Sequence, residues 1–263
     1  MIINKRKNSM KKDIAQIISK TKAIIFDMDG VLLDSESICD YAWEKAASEQ
    51  GLLDISEGLE KCRGTTKIET QKILTELYAS EKIGDDIEDI AAGDKGSDKK
   101  SGKNKNKNIK LDVPLFMQRT HELFYEIEEK EGIERMYYAK EALEFLSKRY
   151  ILALASSTRE EPVRRQMKNA GLLSYFNCIV TGDMVSHSKP NPEIYDKTCH
   201  ILGIKPDNCI AVEDSPNGIK SAFDAGVPVV MIPDKIAPSE KTNRMTIATV
   251  ENLEEFCNLF EDM

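Results

Sequence analysis

Short apolar runs alternate with amphipathic segments in the second half of the chain. From Tyr137 onward, four runs have the length of strands: "YILALAS", "CIVTG", "CIAVED" and "VPVVMI". Three segments with helical periodicity separate them: "EEPVRRQMKNAG", "NPEIYDKTCHILG" and "SPNGIKSAFDAG". Strands that alternate with helices predict right-handed βαβ units, and therefore a parallel sheet covered by helices on both faces.

A further strand, "AIIF" at residues 23–26, is separated from these runs by a helical block. The helical segments of the block are "ESICDYAWEKAASEQG", "TKIETQKILTELYAS" and "PLFMQRTHELFYEIEEKEG"; in the first, Ile38, Tyr41 and Ala42 share one face. The pattern therefore predicts an α/β fold, a Rossmann-like parallel sheet core with an inserted small α-helical cap domain. The predicted core comprises residues 21–36 and 132–263, and the predicted cap comprises residues 37–131. Residues 1–20 are predicted to be a flexible, solvated N-terminal extension in which Ile14, Ile17 and Ile18 start a short helix.

Within the cap, residues 93–108 are rich in Lys, Asn, Gly, Asp and Ser and contain almost nothing that a core buries. This composition predicts a disordered insertion, and a functional lysine patch is the alternative.

Net charge and cysteine content bear on which partners, metal sites and disulfides the chain can have. The 263-residue chain has a formal net charge of −8, which gives no support for a nucleic-acid or membrane partner. Its six cysteines are scattered and only three histidines are present, so no zinc pattern is assembled and the thiols are expected to be reduced, as in the cytoplasm. The expected partner is a small molecule, and the expected state is a monomer or a weak homo-oligomer.

Polar side chains follow the predicted strands at their carboxyl ends, where open α/β sheets bind ligands. They are Asp27 and Asp29; Ser156, Ser157 and Thr158; Asp183; and Glu213 and Asp214, with Lys189 on the connection after "CIVTGD". Carboxylates on different strands suit Mg²⁺, which takes hard oxygen ligands, and a lysine with hydroxyls suits a phosphate. The spacing of Thr158 and Glu161 predicts a capping box at the next helix start.

Asp27 and Asp29 point the same way on an extended backbone, because they are two residues apart. Two carboxyl groups beside one phosphoryl group can have two different roles in phosphate transfer. One attacks phosphorus as a nucleophile, and the other protonates the leaving oxygen and later activates water.

Four motifs occur in the order "FDMDGVLLDS", "LASSTR", "SKPNPEIY" and "VEDSPNG". This series resembles the haloacid dehalogenase superfamily, and most nearly its β-phosphoglucomutase-like phosphatases with a helical cap. The resemblance implies that Asp27 is the nucleophile, Asp29 the general acid/base, and Lys189 the residue that stabilises the phospho-aspartate. It further implies that Ser156 binds phosphate and that Glu213 and Asp214 serve a Mg²⁺ site. Asp27 and Asp29 are further candidates for that site, and Ser157 is a further candidate for phosphate binding, through the backbone amides around it.

The cap loop "CRGTTKIET" carries Arg63, Gly64, Thr66 and Lys67. In similar proteins this loop reads the substrate, and Lys67 stands where the mutases carry an arginine. The alternative is an exposed helix start capped by Thr65 or Thr66. Cys39 occupies the position where mutases commonly carry a histidine.

These inferences predict a Mg²⁺-dependent phosphatase that hydrolyses a small phosphorylated metabolite, a sugar phosphate being favoured, through an aspartyl-phosphate intermediate. The alternatives are a β-phosphoglucomutase-type intramolecular phosphotransferase and a non-catalytic binding protein on the same fold.

Overall fold

The computed structural model describes residues 14–79 and 110–261. Six strands are present in this part of the chain: β1 (Ala23–Phe26), β2 (Ile151–Ala155), β3 (Cys178–Val180), β4 (Cys209–Glu213), β5 (Val229–Met231) and β6 (Ala248–Thr249). Residues 14–20 are helical and are called α1. The other helices are α2 (Ser35–Glu49), α3 (Ser56–Cys62), α4 (Lys67–Leu74), α5 (Val113–Glu131), α6 (Ala139–Leu146), α7 (Glu160–Asn169), α8 (Glu193–Leu202), α9 (Pro216–Asp224), α10 (Glu240–Met245) and α11 (Leu253–Asn258). A π-helical segment (Thr75–Ala79) follows α4, and single 3₁₀ turns occupy Leu173–Tyr175, Gly182–Met184 and Pro206–Asn208.

The strands form one sheet in the order β3-β2-β1-β4-β5-β6, and every neighbouring pair is parallel. Phe26, the last residue of β1, lies opposite Leu154 on one side and Val212 on the other. The carboxyl ends of β1, β2 and β4 therefore meet at one edge. The predicted α/β class is confirmed; β6 was not predicted, because two residues are too few to show a pattern.

Two apolar layers cover the sheet, and β1 contributes to both. Ile24 and Phe26 belong to one buried cluster and Ala23 and Ile25 to the other, and all four are fully buried. Successive side chains of a strand point to opposite faces, so a strand covered on both sides is apolar at every position. Burying each large side chain contributes about 1.5–3 kcal/mol, which holds this central strand firmly in place.

The segment before β1 contains the predicted short helix, but it is packed on the core and is not the flexible extension predicted for residues 1–20. Residues 14–20 form α1, and Ile18 is only 3% exposed in the same cluster as Phe26. Ile14 and Ile17 pack against that cluster, since apolar residues three and four positions apart share one helix face. The predicted extension is therefore corrected for residues 14–20, and residues 1–13 lie outside the described part of the chain.

The chain divides into two compact units between Ile38 and Cys39 and between Glu126 and Ile127. The regular secondary structure in the described residues of the inserted unit is all helical, and the unit has its own core, in which Ala42, Ala46, Leu74 and Phe116 are fully buried. Trp43 packs edge-on against Phe116 with ring centroids 5.2 Å apart.

Two predictions for the inserted unit concern the buried face of α2 and a disordered insertion. Tyr41, expected on the buried face of α2, is 54% exposed, because Ala42 and Ala46 supply that face instead. The predicted disordered insertion at residues 93–108 lies outside the described residues. None of the helices in the described residues is long and apolar enough to cross a lipid bilayer.

Candidate active site

The loop after β1 carries the first two predicted site residues. The Asp27 amide continues the sheet by donating to the Val212 carbonyl at 3.0 Å. Gly30 then turns the chain at a φ of +74°, which favours glycine, and its amide donates to the Leu33 carbonyl. A side chain at position 30 is also excluded sterically, because its Cβ would lie 2.6 Å from a carboxylate oxygen of Asp214. The turn thus fixes the aspartate pair beside the end of β4.

Lys189 connects the ends of three strands. Its Nζ lies 2.6 Å from Asp27 Oδ1, 2.6 Å from Glu213 Oε1 and 2.9 Å from the carbonyl oxygen of Ala155. Burial favours the neutral amine, but the charges and hydrogen bonds of Asp27 and Glu213 outweigh that effect and raise the lysine's pKa above its usual value. The ammonium is therefore a fixed positive charge beside Asp27.

Glu213 is the last residue of β4 and Asp214 follows it, and both side chains are buried. Burial, with the nearby charge of Asp27, raises the pKa of Glu213 to about 7, although Lys189 opposes the shift. Burial and the charges of Asp27 and Glu213 also raise the pKa of Asp214. Gly218 makes room for this pair, because a Cβ there would lie 1.9 Å from Glu213 Oε2. Carboxylates packed this closely need a cation.

The carboxylates include an arrangement that fits a metal ion. One oxygen each from Asp27, Glu213 and Asp214 lies within 4.8 Å of the others. Glu213 Oε2 is buried and has no hydrogen-bond partner among the described residues, which is the state expected of an oxygen available to a cation. Three hard carboxylate oxygens suit Mg²⁺. The Asp29 carboxylate, also predicted for the metal, lies outside this group.

Asp29 is surrounded by hydroxyl groups instead. Its Oδ1 accepts from Ser35 at 2.7 Å, and its Oδ2 accepts from Thr158 at 3.2 Å and from Ser156 at 3.5 Å. Burial and the adjacent charge of Asp27 raise the pKa of Asp29, with the hydroxyl groups opposing. A raised pKa favours the protonated form, as a proton donor requires.

The predicted capping box of Thr158 and Glu161 is wrong. Helix α7 begins at Glu160, and its N-cap residue is Arg159, whose side chain makes no capping hydrogen bond. The Thr158 hydroxyl donates to Asp29 because it lies on the loop at the end of β2, before the helix starts.

Ser156 and Ser157 are placed differently on this loop. Ser156 is fully buried, and its Oγ accepts from the Thr158 amide at 3.1 Å. Ser157 is exposed, and its carbonyl oxygen packs against Gly182.

The four predicted cap residues lie in the inserted unit. Arg63 is paired with Asp40 at 2.8 Å, and Gly64 has a φ of +68°. Thr66 caps α4 through a capping box with Glu69. Lys67 is the first residue of α4 and is exposed. The structural alternative, a helix start capped by Thr66, is therefore confirmed, and a substrate role for this loop stays a prediction.

Sequence reasoning missed Tyr195 and Ser35 as partners of the carboxylates. Tyr195 is fully buried and its hydroxyl donates to Glu213 Oε1 at 2.6 Å. The available signal was its place in "SKPNPEIY", six residues after Lys189 on the first turn of α8. Ser35 follows the β1 loop directly and starts α2, and nothing in its spacing indicated a contact with Asp29.

Comparison with known proteins shows that a chain with this fold and this carboxylate site belongs to the class of α/β hydrolases with a haloacid dehalogenase-like core. The model of the haloacid dehalogenase-like hydrolase family matches residues 24–232. Since that match spans most of the chain, the chain belongs to this family, and the resemblance carried by the four motifs is confirmed.

Several relatives are named as phosphatases. The phosphorylated carbohydrates phosphatase of Thermotoga maritima is 31% identical over 212 residues, which cover 78% of this chain and 82% of the relative. Hexitol phosphatase A of Escherichia coli is 25% identical over 213 residues, covering 81% and 83% of the two chains. A solved Thermotoga maritima structure, proposed to be a β-phosphoglucomutase, aligns with a TM-score of 0.68 and 27% identity over 92% of this chain and 100% of its own.

Proposed function

We propose that this hydrolase is a Mg²⁺-dependent phosphatase that acts on a small phosphorylated metabolite, with a sugar phosphate as the favoured class, through an aspartyl-phosphate (acyl phosphate) intermediate on Asp27. The enzyme is a phosphoric monoester hydrolase of its family, in keeping with the phosphatase names of its relatives. The observation that carries the mechanism is the different setting of the two aspartates. Asp27 is paired with the Lys189 ammonium, and Asp29 has a raised pKa among hydroxyl groups.

In the first half-reaction, a carboxylate oxygen of Asp27 attacks phosphorus while the bond from phosphorus to the ester oxygen breaks. Asp29, protonated at the start, transfers its proton to that leaving oxygen and releases the alcohol. Lys189 holds Asp27 in place from one side and neutralises charge on the phosphoryl group. The products of this step are the free alcohol, an acyl phosphate on Asp27 and an ionised Asp29.

In the second half-reaction, the ionised Asp29 removes a proton from a water molecule whose oxygen attacks phosphorus. The bond between phosphorus and the Asp27 oxygen breaks, so inorganic phosphate leaves and Asp27 returns as a carboxylate. Asp29 is again protonated, and both residues are ready for another turnover. The hydroxyl donors Ser35 and Thr158 keep the Asp29 carboxyl group oriented through both steps.

Asp27, Glu213 and Asp214 are the residues that would hold Mg²⁺, because their oxygens already converge and one Glu213 oxygen has no hydrogen-bond partner in the described part of the chain. When bound, the ion supplies positive charge that offsets the carboxylates and the phosphate. Ser156, with backbone amides around Ser157, is proposed to bind the phosphate oxygens.

The substrate class rests on the relatives and on the cap loop. Relatives named as phosphatases of phosphorylated carbohydrates and hexitols favour a polyhydroxylated phosphate ester. Arg63, Gly64, Thr66 and Lys67 are proposed to select the substrate, with Lys67 as the exposed cation available to a second anionic group.

The test is turnover of p-nitrophenyl phosphate, followed by a panel of sugar phosphates, with Mg²⁺ and with a chelator. We expect Mg²⁺-dependent release of inorganic phosphate, abolished in Asp27→Asn. Conversion of a sugar 1-phosphate into its 6-phosphate isomer without phosphate release would assign the mutase alternative instead. No turnover of any ester by a protein that binds phosphate would assign a non-catalytic binding protein.

A further inference from the structure

The loop that carries Ser156 and Thr158 is fastened to the segment after β3 at several points. The Ser156 amide donates to the Val180 carbonyl at 3.1 Å, extending the pairing of β2 and β3 by one bond. The Gly182 amide donates to the Thr158 carbonyl at 2.9 Å. The two segments are therefore held together by backbone bonds on both sides of the exposed Ser157.

Gly182 allows this close approach. A Cβ at position 182 would lie 2.0 Å from the carbonyl oxygen of Ser157 and 2.8 Å from its carbonyl carbon. Both are backbone atoms and have no rotamer through which to move away. The Ser156–Thr158 loop therefore rests directly on the glycine backbone.

Asp183 completes the attachment through its side chain. Its Oδ1 accepts from the amide of Glu160, the first residue of α7, at 3.0 Å. The same oxygen accepts from the hydroxyl of Thr181, a fully buried residue, at 2.6 Å. Because Thr181 fixes the carboxylate, the amide at the start of α7 has a rigid partner on a different strand connection.

The fastened loop delivers two hydroxyl groups to Asp29. Ser156 and Thr158 both donate to Asp29 Oδ2, and the Thr158 amide donates to Ser156 Oγ. A shift of this loop therefore changes both the proposed phosphate contact of Ser156 and the orientation of Asp29. Displacements of about 1 Å at a reacting centre cost up to about 100-fold in rate.

We propose that Asp183 is a positioning residue that acts through the Ser156–Thr158 loop, holding the phosphate-binding hydroxyl and the Asp29 partner in register. This inference deepens the proposed function and rests on it. It assigns a role to a side chain that touches neither Asp27 nor Asp29 in the described hydrogen bonds.

The experiment compares Asp183→Ala, Asp183→Asn and Asn252→Ala in the full chain. Asn252 is the matched control, because its side chain also accepts a bond from an amide in the first turn of a helix, that of Glu255 at 3.0 Å, at α11. Each variant is measured for kcat and KM on p-nitrophenyl phosphate at saturating Mg²⁺. Calorimetry gives the Kd of inorganic phosphate, and thermal unfolding gives Tm.

For Asp183→Ala we expect kcat/KM to fall about 10- to 100-fold and phosphate to bind about 10-fold more weakly. Asp183→Asn should recover most of both, since its amide oxygen accepts the same two bonds. Asn252→Ala should lower Tm and leave both kinetic and binding constants unchanged. If Asp183→Ala does not fold, Thr181→Val replaces it, because that change frees the carboxylate with little change in volume, and the same losses are expected.

The inference is overturned if Asp183→Ala lowers Tm but keeps kcat/KM and the phosphate Kd within twofold of wild type, or if Asn252→Ala loses as much activity. In both cases an active wild type leaves the proposed function intact. A wild type that neither turns over phosphate esters nor binds phosphate overturns the proposed function, and this inference with it.

Discussion

Replacing Lys189 with methionine removes the positive charge between two buried carboxylates while keeping a similar length of side chain. The lysine side chain is 7% exposed, and those of Asp27 and Glu213 are 10% and 0% exposed, so water does not replace the lost ammonium. Removing one partner of a buried ion pair typically costs about 3–5 kcal/mol, because the remaining charge stays unpaired. In a protein of this size that corresponds to a Tm lower by about 6–20 °C in the absence of metal.

The assay is thermal unfolding of wild type and Lys189→Met at about pH 8, where Glu213, with its pKa of about 7, is ionised. Each protein is measured with a chelator and with saturating Mg²⁺. A divalent cation among the same carboxylates offsets the missing charge, so Mg²⁺ should raise the Tm of the variant more than that of wild type. Lys20→Met is the control, because Lys20 pairs with Asp207 at 3.3 Å on the surface, where both side chains are largely exposed. Its Tm should stay close to that of wild type, with no added response to Mg²⁺.

A metal-free Lys189→Met protein as stable as wild type would refute this reasoning. It would mean that Asp27 and Glu213 are not both ionised partners of the lysine in the folded protein.

Four further predictions follow from the site. The metal-free protein should lose stability as pH rises from 4.5 to about 7, because the pKa of Glu213 is higher in the folded state, which therefore keeps this proton to a higher pH than the unfolded state. Glu213→Gln should flatten this part of the profile of unfolding free energy against pH, and an unchanged profile would contradict the assignment. Tyr195→Phe should lower the free energy of unfolding by about 1.5–3 kcal/mol by removing a buried bond to a carboxylate, whereas Tyr175→Phe, which removes an exposed bond to Glu144, should not. Lys67→Ala should raise KM for the physiological ester and leave turnover of a small aryl phosphate nearly unchanged; equal losses on both would place Lys67 in the catalytic machinery or the fold. Asp29→Asn should lower kcat by about 10²–10⁴-fold, with the smallest loss for esters that have good leaving groups, and full activity would remove Asp29 from the mechanism.

The sheet was predictable because its strands are buried on both faces and therefore read as continuous apolar runs. β1, β2, β3, β4 and β5 were found in this way, and the polar residues after β1, β2 and β4 came together because parallel strands end at one edge. The edge strand β6 was missed, since a two-residue strand carries no such run.

The partners of the predicted residues were less predictable, because hydrogen bonds between distant segments depend on side-chain orientation. Thr158 illustrates this: local spacing favoured a helix cap, and the tertiary structure gives its hydroxyl to Asp29 instead. Tyr195 lies on an apolar helix face, where sequence alone indicates packing and cannot show that its hydroxyl reaches Glu213.

Packing of the N-terminal segment was not predicted for the same reason, because it depends on contacts between distant parts of the chain. The spacing of the isoleucines indicated a short helix, which is present, but the basic residues around them indicated a solvated extension. Burial of Ile18 against the main core depends on contacts with residues far along the chain.

The central claim is that the reaction passes through an aspartyl-phosphate on Asp27, and rapid-quench labelling tests it most directly. A phosphorylated substrate is mixed with wild type, Asp29→Asn and Asp27→Asn, the reactions are stopped in acid within milliseconds, and the modified residue is located by mass spectrometry. The account predicts phosphate on Asp27 in wild type, retained longer in Asp29→Asn, and none at that position in Asp27→Asn. Phosphate trapped on a serine, a histidine or Asp29, or full turnover by Asp27→Asn, would contradict it.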